Sequence, residues 1–412
     1  MATRNVWNDL YAIGKQTAFA TPVDTTIGLP LLNHPDINPG QAVIDQRKAI
    51  GVPFRNTSTG YEFQQGVQTP SATFEFDVSA YNTALLFWSF FQNGAIESSA
   101  SNYPKYFIPY QTRTSDDPGT VYTMCEVWLT ILRKMAASAA DCHQITGAIA
   151  KTITLSAEVG MPLKASIEFI GKSYSDDVAV GSNAFTFSSN APLLWANATV
   201  TLGGNAINCD GFTITASNNA TAKCDDAGNP LRIILGDFTV EGTIKVPWST
   251  ATEGGNQQID DFVNGSTDRL LIYWGNEIAA SAGDFSIMTR IRRNGATTVG
   301  EDELSIEIPF IGGCNLVSTS VSTSSVSTIA VAGTGAVTGT NTVFNTFSKG
   351  DILYPFGCTA AGDRVHRVAT AIGGATALTA SPAFSGTEGS KNYKIMASPL
   401  TITLADNVQL SI

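Results

Sequence analysis

The chain has 412 residues and a net charge of −11, and it is 43% apolar but only 14% charged. The acidic balance excludes tight binding to a phosphate backbone, which needs a basic footprint. Charge this far below the roughly 25% usual in soluble domains leaves surface polarity to Ser, Thr, Asn and Gly. That suits a β-protein whose surface is covered in an assembly, with an extracellular β-sandwich as the plainer alternative.

The length implies two domains. The first residues, MATRNVWNDLYAIG, lack the apolar run of a signal peptide. No stretch is apolar for the 18 residues of a membrane span. Cys125, Cys142, Cys209, Cys224, Cys314 and Cys358 are scattered without C-x-x-C spacing, so free thiols in a reducing compartment are expected. Cys209 and Cys224 flank a hairpin and are close enough in sequence to meet.

After an opening LYAIGKQTAFATP, residues 20–70 read as a long extended segment with one short strand or helix. Loops of that length usually contact other chains. SATFEFDV alternates, which makes it a strand. Tyr81, Ala84, Leu85, Trp88 and Phe91 follow at helical spacing between Ser79 as N-cap and Gly94 as stop. A helix this aromatic must be largely buried. Further strands are read in CEVWLTILRK, TITLSAEV, LKASIEFI, ANATVTLGG, GFTITASN, LRIILGDFTVEGTIKVPW, RLLIYWG, FSIMTRIRR and ELSIEIPF, with a short amphipathic helix at 257–264. In TITLSAEVGMPLKASIEFI, Ile153, Leu155, Ala157, Leu163, Ala165, Ile167 and Phe169 alternate with Thr, Ser, Lys and Glu. That is an antiparallel pair with one face on a core and the other wet.

The fold expected is therefore mainly β. An antiparallel sandwich with one flanking helix and a long N-terminal arm spans 1–315. A Ser/Thr-rich linker follows at 316–327 and a small β-barrel or sandwich at 328–398. The final strand, 399–412, belongs to either domain. Residues 315–412 carry a net charge of about +1, which leaves −12 on the rest.

Catalytic motifs are missing: no G-x-S-x-G, no phosphate-binding loop, no H-E-x-x-H. His34, His143 and His366 are too scattered for a metal site. Asp225, Asp226 and Asn229 read as a hairpin turn rather than a calcium loop. No cofactor, metal or catalytic group is expected, and the chain reads as a non-enzyme.

Phe169-x-Gly171-Lys172 ends one strand, Trp195 leads the next, a Thr-rich strand runs into an Asn/Asp-rich turn, and Gly242-x-Ile244 lies in the strand after it. This order resembles the tail tube proteins of long-tailed, siphovirus-like bacteriophages over residues 1–312. An acidic residue usual in that family is replaced near Gln16. Gly339, Thr340, Thr342, Phe344, Gly350, Asp351 and Ile352 resemble small β-modules of phage fibres. The resemblance implies homo-hexameric rings stacked into a tube, with about 24 strands closing a barrel whose polar faces line the lumen. At about 4.8 Å per strand its diameter is near 37 Å, enough for DNA to pass without sequence-specific contact.

The candidate lumen-facing residues are Thr73, Glu75, Thr152, Thr154, Ser156, Lys164, Ser166, Glu168, Thr239, Glu241 and Thr243. The resemblance further implies a tape measure protein in the lumen during assembly, tail terminator and distal tail or baseplate proteins at the ends, no membrane, and a virion tail assembled in the host cytoplasm. The rival is a β-sandwich adhesin or carbohydrate-binding surface protein.

Overall fold

The computed structural model describes residues 9–25, 27–33, 35, 37–44, 64–79, 83–92, 94–96, 105–109, 127–134, 142–178, 185–187, 191–224, 230–247, 255–275, 284–294, 298–299, 305–313, 316–319, 328–340, 342, 344, 350–356, 358–359, 367–381, 383–396 and 398–405. Strands Cys142–Glu158 and Lys164–Ile170 pair antiparallel, with Lys164 opposite Ser156, Ser166 opposite Thr154 and Glu168 opposite Thr152. The alternate residues Ile153, Leu155, Ala165, Ile167 and Phe169 are all buried. Ser71–Asp77 adds on one side of the pair. Gly211–Ser217, Thr239–Pro247 and Ser305–Gly312 follow in turn on the other.

Past Ser305–Gly312 the sheet folds back. Residues 291–293 of Phe285–Arg293 pair with that strand, and Thr267–Trp274 and Ala198–Leu202 follow. Leu270, Ile272, Trp274 and Phe285 from this returning layer share one buried cluster with Phe74, Ile153, Ile167 and Ile214. The two layers thus enclose a single core, as in a sandwich. Trp195 bridges them, 5.4 Å from the Phe212 ring and 6.2 Å from Trp274.

The main helix, Ala84–Phe91, buries all eight side chains, and its Phe87 ring lies 5.9 Å from Phe285. It is shorter than its periodicity predicts. Thr83 precedes it instead of Ser79 as cap, and Gln92 ends it in the left-handed region at φ 55 before Gly94 is reached. A second helix spans Gly255–Asn264. Buried Arg293 holds it, reaching Asp268 at 2.7 Å and Asp261 at 3.0 Å.

Cys142–Glu158 is longer than its visible alternation because it serves two sheets. Its first half pairs with Leu129–Lys134 and Ser173–Val178, and Leu10–Lys15 and Ile27–Leu29 extend that second sheet. The switch lies near Gly147, at φ +62, where an added Cβ would sit 2.9 Å from the Phe19 ring. Only glycine meets both demands.

The outer edge of Ser71–Asp77 is already occupied. Asn38 and Ser71 exchange backbone hydrogen bonds at 2.9 Å, and the Leu32 amide donates to the Glu75 carbonyl at 2.7 Å. The Asn33 side chain acts as a strand would, donating from Nδ2 to the Thr73 carbonyl and accepting at Oδ1 from the Glu75 amide, each at 3.1 Å. Residues 20–70 therefore hold more structure than the extended reading expects. They contain Ile27–Leu29, this edge cover, and a hairpin of Gln41–Ile44 with Gln64–Gln68. The hairpin leaves beside Ser71, at the end of the sheet opposite the 158–163 turn. Residues 45–63 lie outside the described residues.

The run from Leu231 to Trp248 is two strands. Pro230–Ile234 pairs with Thr221–Cys224 in a small separate sheet, and Thr239–Pro247 joins the main one. Asn219 fixes the break by donating from Nδ2 to the Asp237 carbonyl at 2.7 Å.

The C-terminal part is a closed barrel in the order Glu388–Met396, Thr328–Val331, Ala336–Thr340, Ala377–Ser381, Arg367–Gly374, Ile352–Phe356 and back to Glu388–Met396. Leu316–Thr319, assigned to the linker by its composition, is instead a strand on Glu388–Met396. Residues 320–327 lie outside the described residues. Thr401–Leu404 returns to the large sheet, against Phe285–Met288. Strand Phe285–Arg293 therefore receives Gly312 opposite Ile291 and Thr401 opposite Met288, so the chain leaves and re-enters the large sheet side by side. Tyr106 and Ile108 pack with Ile352 and Val368 where the barrel meets the sandwich.

Candidate functional site

All eleven candidate residues fall on one face of the main sheet, and none is buried. Directly opposed residues in antiparallel strands share a face, and three lateral rows result. The first runs Asp77, Lys164, Ser156, Thr213, Thr243. The second runs Glu75, Ser166, Thr154, Thr215, Glu241, Ile311. The third runs Thr73, Glu168, Thr152, Ser217, Thr239. Thr213, Thr215 and Ser217 complete these rows although the candidate set omitted them. The strict alternation of GFTITAS carries the same signal as its neighbours. Thr154 Oγ1 and Thr215 Oγ1 hydrogen-bond across strands at 3.1 Å.

The face is acidic and partly neutralised. Lys151 Nζ lies 3.3 Å from Glu168, and Lys245 Nζ lies 3.4 Å from Glu307. Lys151 reaches Glu168 because the register slips there, pairing Glu168 with Thr152 and Phe169 with Ala150. Burial raises the Asp77 carboxyl above its ordinary value, opposed by the charge of Lys164. Glu75, Glu158 and Glu241 have no ion-pair partner among the described residues, so net negative potential survives along the face.

An open groove of about 460 Å³ runs beside Trp195, Ile207, Cys209 and Asp210. Burial pushes the Cys209 thiol up to about 11, and its Sγ donates to the Gly211 carbonyl at 3.2 Å. A protonated thiol is a poor nucleophile. Cys209 and Cys224 are both free. His143 Nδ1 hydrogen-bonds the Tyr174 hydroxyl at 2.9 Å. The 225–229 turn, His34 and His366 lie outside the described residues. Among the described residues no helix is long and apolar enough to cross a membrane, and no three His, Cys, Asp or Glu side chains cluster as metal ligands would.

Residues 10–312 match the family model described as phage tail tube protein. The chain belongs to the phage tail tube protein family. A tail tube protein is a structural component of the virion tail, and membership implies assembly of subunits into a tube. The match ends at Gly312, where the chain leaves the large sheet for the barrel. No curated protein matches. Among solved structures, a FadL homologue from Pseudomonas aeruginosa aligns at 9% identity and a TM-score of 0.08, covering 82% of this chain and 62% of that one, and carries no argument.

One matched residue, Gly171, and one departure, Gln16, lie in tightly packed surroundings. Gly171 sits where an added Cβ would lie 2.2 Å from Ile145. Gln16, near which the resemblance implies an acidic residue, is buried, and its Nε2 donates to Thr130 Oγ1 at 2.9 Å.

Proposed function

We propose that this tail tube protein builds stacked hexameric rings, and that genomic DNA of a siphovirus-like phage passes through the tube during ejection. The observation that carries the reading is the unbroken polar face, in register across strands, opposite a wholly apolar one. Four middle strands, Lys164–Ile170, the second half of Cys142–Glu158, Gly211–Ser217 and Thr239–Pro247, would line the lumen in each copy. Six copies give about 24 strands and the diameter of about 37 Å expected for such a barrel. Uncompensated Glu158 and Glu241 repel phosphates, so DNA slides without sticking.

In this reading the lumen holds a tape measure protein during assembly in the host cytoplasm, and tail terminator and distal tail proteins close the ends. The hairpin at the sheet end opposite the 158–163 turn fits ring-to-ring contact. The barrel at 316–396, whose ends return to one strand, is an inserted module on the outside of the tube.

Negative-stain microscopy of the purified chain tests this. Rings or tubes with a central channel are expected. A monodisperse monomer at every concentration would favour the adhesin reading instead.

A further inference from the structure

The returning layer of the sandwich ends in an open edge. Ala198–Leu202 and Asn205–Ile207 form a hairpin, and Gly203 and Gly204 turn it at φ 59 and 91, a type I′ geometry. In a two-residue hairpin the flanking Leu202 and Asn205 exchange backbone bonds, and so do Val200 and Ile207. The Ala206 N–H and C=O therefore point away from the partner strand. Ala206 is exposed, and no other strand among the described residues pairs with Asn205–Ile207. Beside this edge lies the groove of about 460 Å³, with Val159, Trp195, Val200 and Ile207 in its walls. Val159 is 68% exposed, and Met161, whose carbonyl accepts the Trp195 amide, is 51% exposed. An unpaired edge beside an apolar groove suits an added strand with one apolar face.

The sequence supplies such a strand. Val408, Leu410 and Ile412 alternate with Gln409 and Ser411. Leu404 stands opposite Phe285, Phe285 opposite Trp274, and Trp274 opposite Ala198, so the chain leaves Ala405 at the end of the layer where the groove opens. A strand added beyond Asn205–Ile207 would lie five strand spacings from Thr401–Leu404, about 24 Å. Val408 can be no more than about 11 Å from Ala405, and Ile412 no more than about 25 Å. The segment would be used up in crossing, so it cannot line the groove of its own subunit. We infer that residues 408–412 of one copy pair as a strand with the Asn205–Ile207 edge of another, and that Val408, Leu410 and Ile412 enter the groove. The inference rests on the assembly of copies and not on the number in a ring. It leaves the lining sheet free to close by strand pairing between subunits, because the Asn205–Ile207 edge belongs to the other layer.

The test compares the full chain, a chain ending at Ala405, the full chain with Ala206→Pro, and the combination. Proline removes the outward N–H that an added strand would bond, and the pairing with Ala198–Leu202 does not use that N–H. All four should melt alike. Ending the chain at Ala405 should raise the concentration needed for assembly about tenfold or more, followed by sedimentation and microscopy, because three apolar side chains lose their cover. Ala206→Pro should raise it too, and the combination should behave as the shortened chain does alone. In a second measurement a photo-crosslinking side chain replaces exposed Asn208 in the groove wall, in tubes grown from mixed isotopically heavy and light copies. Irradiation should join position 208 of one copy to residues 406–412 of another. Shortening without effect, additive losses in the combination, or capture of residues 45–63, of the same copy's 406–412 or of nothing, would overturn this contact and leave the tube reading standing. A wild-type chain that never assembles would remove both.

Discussion

Changing Glu241 to Lys tests whether this face meets DNA. Glu241 is exposed and flanked by Thr215 and Ile311, neither charged. The nearest charge along its row is Arg292, two strands and about 9.6 Å away. At that distance in water the pair is worth about 0.4 kcal/mol, so reversing one sign changes stability by about 0.9 kcal/mol before screening. Physiological salt cuts this to about 0.3 kcal/mol. The variant should therefore fold and assemble normally. In a ring of six, each level of the tube would exchange six negative groups for six positive ones. If three of them meet phosphates, the log–log salt slope of DNA binding should be about −2.7, and affinity should fall about 40-fold between 50 and 200 mM salt. Virions carrying the variant should eject DNA slowly at low salt and recover as salt rises. Glu168 is the wrong residue for this experiment, because a lysine there would confront Lys151 within the subunit. Unchanged ejection from well-formed tubes would show that Glu241 faces away from the DNA path. An unfolded variant would show that the exposed face has been assigned wrongly.

Replacing residues 45–63 with a short turn should leave the melting temperature unchanged and yield rings that do not stack, scored by tube length in micrographs. A wider cut from 24 to 60 would instead damage the fold, since it removes Ile27–Leu29 and the buried Leu29 and Ile37. Deleting 314–398 and bridging the gap with a short flexible linker should still give tubes. It should cost about 3–6 kcal/mol in a urea titration, because Tyr106 and Ile108 lose their cover. Glu388, in the barrel, is held at about 2 by Lys391 and by the Thr359 amide, to which both its oxygens are 2.9 Å away. A depressed carboxylate contributes stability that is present above its unfolded value and lost as pH falls through the folded one. The Thr359 amide should therefore stay protected from hydrogen exchange at pH 4 in the wild type and exchange quickly in Glu388→Gln.

Strand identity and the polar face were readable from the sequence because a period of two is local. Ile153 to Phe169 announce their partition wherever the strands sit. What alternation cannot reveal is which strands meet. The 142–149 half of the long strand carries no clean alternation because both its faces are covered, so its role in a second sheet stayed hidden until Gly147 was placed. Leu316–Thr319 is a Ser/Thr-rich stretch whose strand character comes only from Glu388–Met396, more than 70 residues away. The return of Thr401–Leu404 to the large sheet is likewise a pairing that no local pattern encodes. The ion pair of Lys151 with Glu168 depends on a one-residue slip in register, which is invisible in composition.

The side-by-side exit and return on strand Phe285–Arg293 set an order for synthesis. When Gly312 leaves the ribosome, the edge of Phe285–Met288 that Thr401–Leu404 will cover is still bare. On the order of 90 residues must be made before that strand arrives, about 5–20 s at ordinary elongation rates. For that interval the nascent subunit carries an open sheet edge over a core that still lacks Leu400, Ile402 and Leu404. The barrel made in the meantime brings Ile352 and Val368 to Ile108 and to Tyr106, itself the register partner of Thr403 in strand Lys105–Phe107. Until Thr401–Leu404 arrives, Phe285–Met288 offers an unpaired edge, the kind of template that invites pairing with another chain.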